Sequence, residues 1–134
     1  MTQIFIAGNV PSSKNSKRIA RIKNKRGNIV ATRLINSEVV EKYLKTYAFQ
    51  WHFAGNVAEF HRQIKGKEKP YRIGFYFIRD SRRKFDYINA MQLPCDLMVK
   101  AGWIDDDNAN EIIPVCLGYE VDKGNAGVRI EVLE

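Results

Sequence analysis

The residues best suited to chemistry lie in one segment, residues 81–108 (SRRKFDYINAMQLPCDLMVKAGWIDDDN). A basic run, Arg82-Arg83-Lys84, leads into Asp86, and three consecutive aspartates follow a small-residue break at Ala101-Gly102. The chain has a formal net charge of +7, so clustered carboxylates oppose its overall charge and need a reason. Carboxylate oxygens are ligands that Mg²⁺ prefers, and Mg²⁺ in turn organises phosphate. The segment therefore predicts a magnesium site within a surface that attracts a polyanion, with the carboxylates of Asp86, Asp105, Asp106 and Asp107.

Two other interpretations of the aspartate triplet need to be compared with the magnesium site. A calcium loop starting at Asp105 fails, because its sixth position is Asn110 rather than Gly and its twelfth is Cys116 rather than Glu. An acidic surface turn is the second interpretation, and it stays open. Asp86 can meet the triplet only if the chain folds back near Gly102.

Basic residues are concentrated in the first two-thirds of the chain. Seven of them and no acid lie between Lys14 and Arg26, and a second basic stretch, residues 62–72, is interrupted only by Glu68. Nine of the fifteen acids lie from Asp96 onward. Each basic run alone is typical of a solvated loop. Together with the cations around the end of the next strand, they predict a phosphate-binding face that includes Arg79, Arg82, Arg83 and Lys84.

Length and composition limit the class of protein. A chain of 134 residues is expected to form one domain, residues 1–134. No apolar run approaches the roughly twenty residues of a membrane span, and the first residues read as a strand rather than a signal peptide. The two cysteines are expected to be reduced and mostly buried, as in a cytoplasmic protein. A pI near 9.5 favours nucleic acid as the partner over a membrane.

The hydrophobic pattern predicts an α+β fold in which two main helices pack on a mixed β-sheet. A helix capped by Asn36 or Ser37 and a second helix after Asp86, stopped by Gly102, are expected. Residues 55–70 are expected to be an irregular connection. The predicted strands are residues 3–8, 28–35, 71–78, 111–121 and 126–133, with hairpin turns at 25–28 and 122–125.

Pro94 interrupts the second predicted helix. Proline removes a backbone hydrogen bond and clashes one turn back, so either the helix kinks there or a new helix begins with Pro94 in its first turn.

The segment also resembles the RusA family of Holliday junction resolvases, small homodimeric endonucleases common in prophages. In that family a basic strand end leads into Asp-hydrophobic-Asp-Asn, followed by a helix, a Lys-Ala-Gly-type break and a hydrophobic-x-Asp-Asp turn. This chain has RRKFDYIN, DLMVKAG and WIDDDN in the same order. A family motif Pro-Pro-Ser-x-Asn is similar to Pro11 to Asn15 in GNVPSSKNSKR. The order and spacing together are more specific than any one motif.

The resemblance implies a homodimeric, Mg²⁺-dependent endodeoxyribonuclease that makes paired nicks in branched DNA, the four-way junction, during recombination and repair. Asp86 corresponds to the second Asp of the family's Asp-x-Asp, and Asp106 and Asp107 correspond to its later pair. Asp86 and Asp107 would hold the metal, completed by Asp106 or Asp105. The residues implied to hold the DNA backbone are Lys14, Asn15, Lys17, Arg18, Arg82 and Arg83.

The chain departs from the family pattern at two positions. Lys84 stands where the first Asp is expected, and the position of a helix lysine corresponds to Gln92. The positive charge of the missing helix lysine would come from Lys84, which we favour, or from Lys100. The missing carboxylate would come from Asp105 or Asp96. The first departure favours an alternative, a catalytically impaired junction- or nucleic-acid-binding protein of the same fold. A third reading, an RNA-binding module that stacks bases on the aromatic strand 71–77, is disfavoured because the alternation of that strand is typical of a core.

Overall fold

A four-stranded mixed sheet forms the centre of the molecule. The computed structural model describes residues 3–12 and 17–134, with only the backbone of Lys17, Arg18 and Arg33. The strands are β1 (Ile4–Ala7), β2 (Lys17–Lys23), β3 (Ile29–Asn36), β4 (Tyr71–Arg79), β5 (Ile112–Val121) and β6 (Gly127–Leu133). The sheet order is β1-β6-β4-β5, with β4 parallel to β5 and β6 antiparallel to β1 and β4. The predicted α+β class with a mixed sheet is confirmed.

β4 carries the densest part of the core. Ile73, Phe75 and Phe77 are each 0% exposed, and Gly74 and Ile78 on the opposite face are buried as well. A strand covered on both faces and paired on both edges explains why the sequence here is a nearly continuous apolar run. The predicted strand is confirmed and extends by one residue, to Arg79.

The helices are α1 (Glu38–Tyr47), α2 (Phe49–His52), α3 (Ala54–Ile64) and α4 (Tyr87–Lys100). Of the two predicted caps Ser37 is the one observed, since its hydroxyl accepts a hydrogen bond from the Val40 N–H at 3.3 Å. Within the described part of the chain three helices have ten residues or more, so the expectation of two main helices is wrong. The expectation of an irregular connection at residues 55–70 is also wrong, because most of that segment is α3.

α3 was missed because Gly55 and several polar residues obscured its apolar spacing. Val57, Phe60 and Ile64 recur at helical intervals, and Phe60 is 0% exposed. The buried Gln63 accepts a hydrogen bond from the Val132 N–H at 3.2 Å, which satisfies a polar group inside the core.

α4 is a single continuous helix with Pro94 buried inside it. The alternative in which a new helix begins at Pro94 is therefore wrong. The predicted stop is confirmed: Gly102 has φ +80°, a conformation that glycine adopts without strain. The Trp103 N–H donates to the Met98 carbonyl at 2.9 Å, so the chain turns back immediately after the helix.

The last two strands do not form the expected hairpin. A turn that includes a short 3₁₀ segment, Lys123–Asn125, joins β5 to β6, but β4 lies between them. β5 is parallel to β4 because α4 forms the crossover between them, and it occupies one edge of the sheet. In its register Phe75 pairs with Cys116 and Tyr76 with Gly118, so Leu117 is an extra residue, a β-bulge.

β2 and β3 form a separate two-stranded antiparallel sheet, which we call the basic ribbon (residues 17–36). Its turn is closed by Asn24, whose Oδ1 accepts hydrogen bonds from the N–H groups of Arg26 and Asn28 at 2.9 and 3.0 Å. Gly27 in the turn has φ +81°. The hairpin predicted here is confirmed.

Among the residues that the structure describes, no helix has the length and apolar character needed to cross a bilayer.

Candidate active site and nucleic-acid interface

Asp86 lies at the start of α4, where the loop after β4 ends. It is exposed, and its Oδ2 is 3.4 Å from the Asn89 Nδ2. The rings on either side of it, Phe85 and Tyr87, pack against Tyr119 of β5 with centroid distances of 5.0 and 6.3 Å. These anchored rings hold the Asp86 carboxylate at the surface beside a helix N-terminus, where the helix dipole favours negative charge.

Arg79 holds the two loops near Asp86 together. It is 8% exposed, and its guanidinium donates to the Val10 carbonyl at 2.6 Å and lies 3.2 Å from the Ser12 Oγ. The guanidinium carbon also lies 4.4 Å from the centroid of the Phe85 ring. Burial lowers the pKa of Arg79 from its usual value. Arg79 therefore lines the predicted phosphate-binding face with little exposed surface, and its guanidinium mainly holds the two loops together.

The exposed cations of this region are Arg82, Arg83 and Lys84. A hollow of about 640 Å³ is lined by residues that include four cations and one acid: Arg79, Arg83, Lys84, Lys123 and Asp80. An open hollow lined by cations is suited to phosphate oxygens. The loop before Asp86 thus presents positive charge two residues from a carboxylate, as the sequence predicted.

The aspartate triplet begins where a well-packed anchor ends. Trp103 is 1% exposed, and its Nε1 donates to the Trp51 carbonyl at 2.7 Å. Its ring packs against those of Trp51 and Phe60, with centroid distances of 5.4 and 5.3 Å. The His61 Nε2 lies 2.9 Å from the Gly102 carbonyl oxygen. The buried anchor fixes where the following acids emerge.

The three aspartates then have different surroundings. Asp105 pairs with Lys69 at 3.1 Å, and Lys69 also contacts Glu111 at 2.6 Å; these carboxylates raise the Lys69 pKa. Asp106 accepts hydrogen bonds from the Asp107 N–H at 2.8 Å and the Asn108 amide at 3.0 Å, which lower the pKa of Asp106. The ion pair of Asp105 and the local hydrogen bonds of Asp106 are typical of an acidic surface turn, the alternative to a metal site.

Asp107 is exposed, and its charge acts on α4. Burial raises the pKa of the Cys95 thiol to about 12, and the nearby carboxylates of Asp107 and Asp96 contribute. Cys95 is buried and Cys116 exposed, and both are free thiols, so the expectation of burial is wrong for Cys116.

The structure does not gather the predicted carboxylates into one group. Asp86 precedes α4 and Asp105 follows it, and fourteen helical residues span about 21 Å. The chain does fold back at Gly102, but it continues to the start of β5, where the Lys69–Asp105 pair lies. Within residues 3–12 and 17–134, no group of three or more His, Cys, Asp or Glu residues is arranged to hold a metal ion. The oxygen donors suit Mg²⁺ chemically, and Asp107, the predicted partner of Asp86, lies close enough to α4 for its charge to act on Cys95.

The remaining predicted residues fall in three places. Lys100 and Asp96 are exposed on α4. Lys14 and Asn15 lie outside the described residues. Lys17 and Arg18 begin β2, where only their backbone is described.

Sequence reasoning missed two side chains that position the loops. Arg79 is one, and the apolar run that precedes it was the available signal. Gln50 is the other: its Oε1 accepts from the Ala7 N–H at 2.8 Å and its Nε2 donates to the Ala7 carbonyl at 3.0 Å. Gln50 thus pairs with the backbone of β1 as a neighbouring strand would, and no spacing in the sequence indicates it.

Two of the four aromatic residues of β4 are not available for stacking on bases, and the other two, Tyr71 and Tyr76, are partly buried. Phe75 and Phe77 are 0% exposed and pack within the core. The RNA-binding interpretation of this strand therefore loses its main support.

No protein-family model matches the chain. No curated protein matches its sequence either.

Proposed function

We propose that the protein is a Mg²⁺-dependent endodeoxyribonuclease of the RusA type, a cytoplasmic homodimer that nicks branched DNA in recombination or repair. The observation that carries the proposal is the order of features from β4 to β5. A buried strand leads into an exposed basic loop, then a carboxylate at a helix start, a helix, a glycine stop and an acidic turn. That order matches the motifs of the RusA resemblance.

The proposed roles follow from charge and position. Arg82 and Arg83 bind the DNA backbone, and Lys84 neutralises the phosphate whose bond breaks. The proposed metal ligands are Asp86, Asp106 and Asp107, with Asp105 as an auxiliary. The ion would activate water and stabilise charge on the leaving oxygen.

The homodimer bears on the metal site as well as on the substrate. Because the described residues contain no group of three or more ligands arranged for a metal ion, the proposed site would be completed by a carboxylate from a second protomer or by a shift of the acidic turn. A two-fold dimer also matches a branched substrate with equivalent arms.

The decisive experiment incubates the purified protein with a synthetic four-way junction in Mg²⁺ or EDTA. Metal-dependent paired nicks in opposing strands are expected. Asp86→Asn and Asp107→Asn should abolish nicking and leave junction affinity intact, because each removes a ligand and no positive charge. Glu68→Gln, which removes an exposed carboxylate outside that hollow and the acidic turn, is the matched control and should cut normally. Normal cutting by both ligand variants would refute the site assignment.

A second candidate is a junction-binding protein of the same fold that does not hydrolyse DNA. Two observations favour it: Lys84 replaces an expected carboxylate, and the described residues contain no three-ligand group. Tight junction binding without nicks at any Mg²⁺ concentration would establish this candidate in place of the nuclease.

A further inference from the structure

The basic ribbon projects from the rest of the molecule without a core of its own. Beyond their pairing with each other, β2 and β3 make at most marginal contacts with the other described elements. None of residues 19–32 or 34–36 is buried. A two-stranded hairpin alone is marginally stable in water, so this one gains stability from whatever it binds.

The charge of the ribbon selects the kind of partner. Residues 17–36 contain no acid and seven basic residues: Lys17, Arg18, Arg21, Lys23, Lys25, Arg26 and Arg33. Such a surface repels a second copy of itself and attracts a polyanion. Arg21, Lys23, Lys25 and Arg26 are all exposed, two of them on β2 and two in the turn.

Apolar residues lie among these cations. Ile19 and Leu34 pair across the strands and are 62% and 67% exposed. Ile22 and Val30 are 44% and 60% exposed. A surface that contacts phosphates alone does not need aliphatic side chains, whereas base edges in the major groove offer them the thymine methyl group.

The dimensions of the ribbon suit the same groove. The seven residues of β2 extend over about 23 Å. The major groove of B-DNA is about 12 Å wide and admits a two-stranded β-ribbon. We propose that the basic ribbon inserts into the major groove of a duplex arm, with its cations on the flanking phosphates and its aliphatic residues on base edges. The inference rests on the proposed function in that both require DNA as the partner.

Chemical footprinting tests the insertion directly. Guanine N7 lies in the major groove and adenine N3 in the minor groove, and dimethyl sulfate methylates both. The full chain bound to the junction without Mg²⁺ should protect guanine N7 at defined positions of the duplex arms. Ile19→Ser/Leu34→Ser should lose that protection and remain folded, because neither side chain is buried. Protection of adenine N3 alone, or unchanged N7 protection in the double variant, would overturn the proposal.

A matched pair of charge variants tests the phosphate contacts. Lys23→Gln/Lys25→Gln should lower the slope of log affinity against log salt by about 2, one unit for each lost contact. Lys42→Gln/Lys45→Gln removes two exposed charges of α1, outside both basic stretches, and should change the slope less. Equal effects of the two pairs would contradict a specific role for the ribbon.

Failure of this inference and failure of the proposed function give different results. If the protein binds the junction and protects guanine N7 but never nicks it, the ribbon inference holds and the nuclease proposal fails. If the protein nicks junctions without protecting guanine N7, the nuclease proposal holds and the ribbon inference fails. If Ile19→Ser/Leu34→Ser instead converts a dimer to a monomer in sedimentation, the ribbon binds a second copy and the groove proposal is wrong.

Discussion

Replacing Arg79 by methionine should destabilise the protein, because its guanidinium joins two loops from inside. The substitution keeps the aliphatic part of the side chain and removes only the charged end. The Val10 carbonyl, in a residue 1% exposed, then loses its donor, which costs about 1–3 kcal/mol. Loss of the contact with the Phe85 ring adds about 0.5–2 kcal/mol.

One effect acts in the opposite direction. The buried guanidinium is partly desolvated, as its lowered pKa indicates, and methionine carries no such penalty. The expected net loss in the free energy of unfolding is therefore about 1–3 kcal/mol. Arg79→Lys should lie between methionine and the wild type, because it keeps the charge and loses the planar arrangement of donors.

Urea unfolding followed by tryptophan fluorescence measures the loss, since Trp51 and Trp103 are both buried. Arg82→Met is the matched control: this neighbouring arginine is exposed, so its replacement should change stability by less than about 0.5 kcal/mol. DNA binding should show the opposite pattern at a temperature where both variants are folded. The slope of log affinity against log salt should be smaller for Arg82→Met and unchanged for Arg79→Met. Equal stability losses in the two variants would refute the role given to Arg79.

Three further predictions concern the helix stop and the cysteines. Gly102→Ala should cost about 1–2 kcal/mol of stability in urea unfolding, because φ is +80° there and a Cβ would meet no atom within 4 Å, so the cost is strain alone. Gly124→Ala, whose φ is not positive and whose Cβ would lie 3.8 Å from the nearest neighbour, should be nearly neutral; a cost equal to that at Gly102 would contradict the reasoning. A thiol reagent at pH 8 should modify Cys116 and spare Cys95 until the protein unfolds. Since the Cys95 pKa is raised from 9.0 to about 12, stability should fall as pH rises above about 9, where the unfolded thiol ionises first; a Cys95→Ala variant that kept the full alkaline loss would show that other groups cause it.

The elements that sequence predicted well are those whose own residues determine them. β4 is an apolar run, Ser37 is a capping residue with the required spacing, and Gly102 is the glycine stop of a helix. Each of these is local, so spacing and side-chain type suffice.

The missed features depend on distant parts of the chain. The parallel pairing of β4 and β5 depends on where α4 returns the chain. The turn after β5 resembles a hairpin turn in the sequence, because local signals do not show that β4 lies between β5 and β6. Arg79 looked like a surface cation because its acceptors, Val10 and Ser12, are some seventy residues away. The separation of Asp86 from Asp105 is likewise set by the length and direction of α4. The tertiary structure, rather than local propensity, decides all three.

The position of β5 has a consequence for how the protein behaves at high concentration. A ten-residue strand at the edge of a sheet offers unpaired backbone groups to any other exposed strand, and long, flat edges are sites of aggregation. This edge is neither flat nor continuous. Pro114 has no N–H to donate, and the bulge at Leu117 increases the local twist. The same irregularities that interrupt the strand therefore restrict which partners can extend the sheet, and they protect the chain from indiscriminate self-pairing.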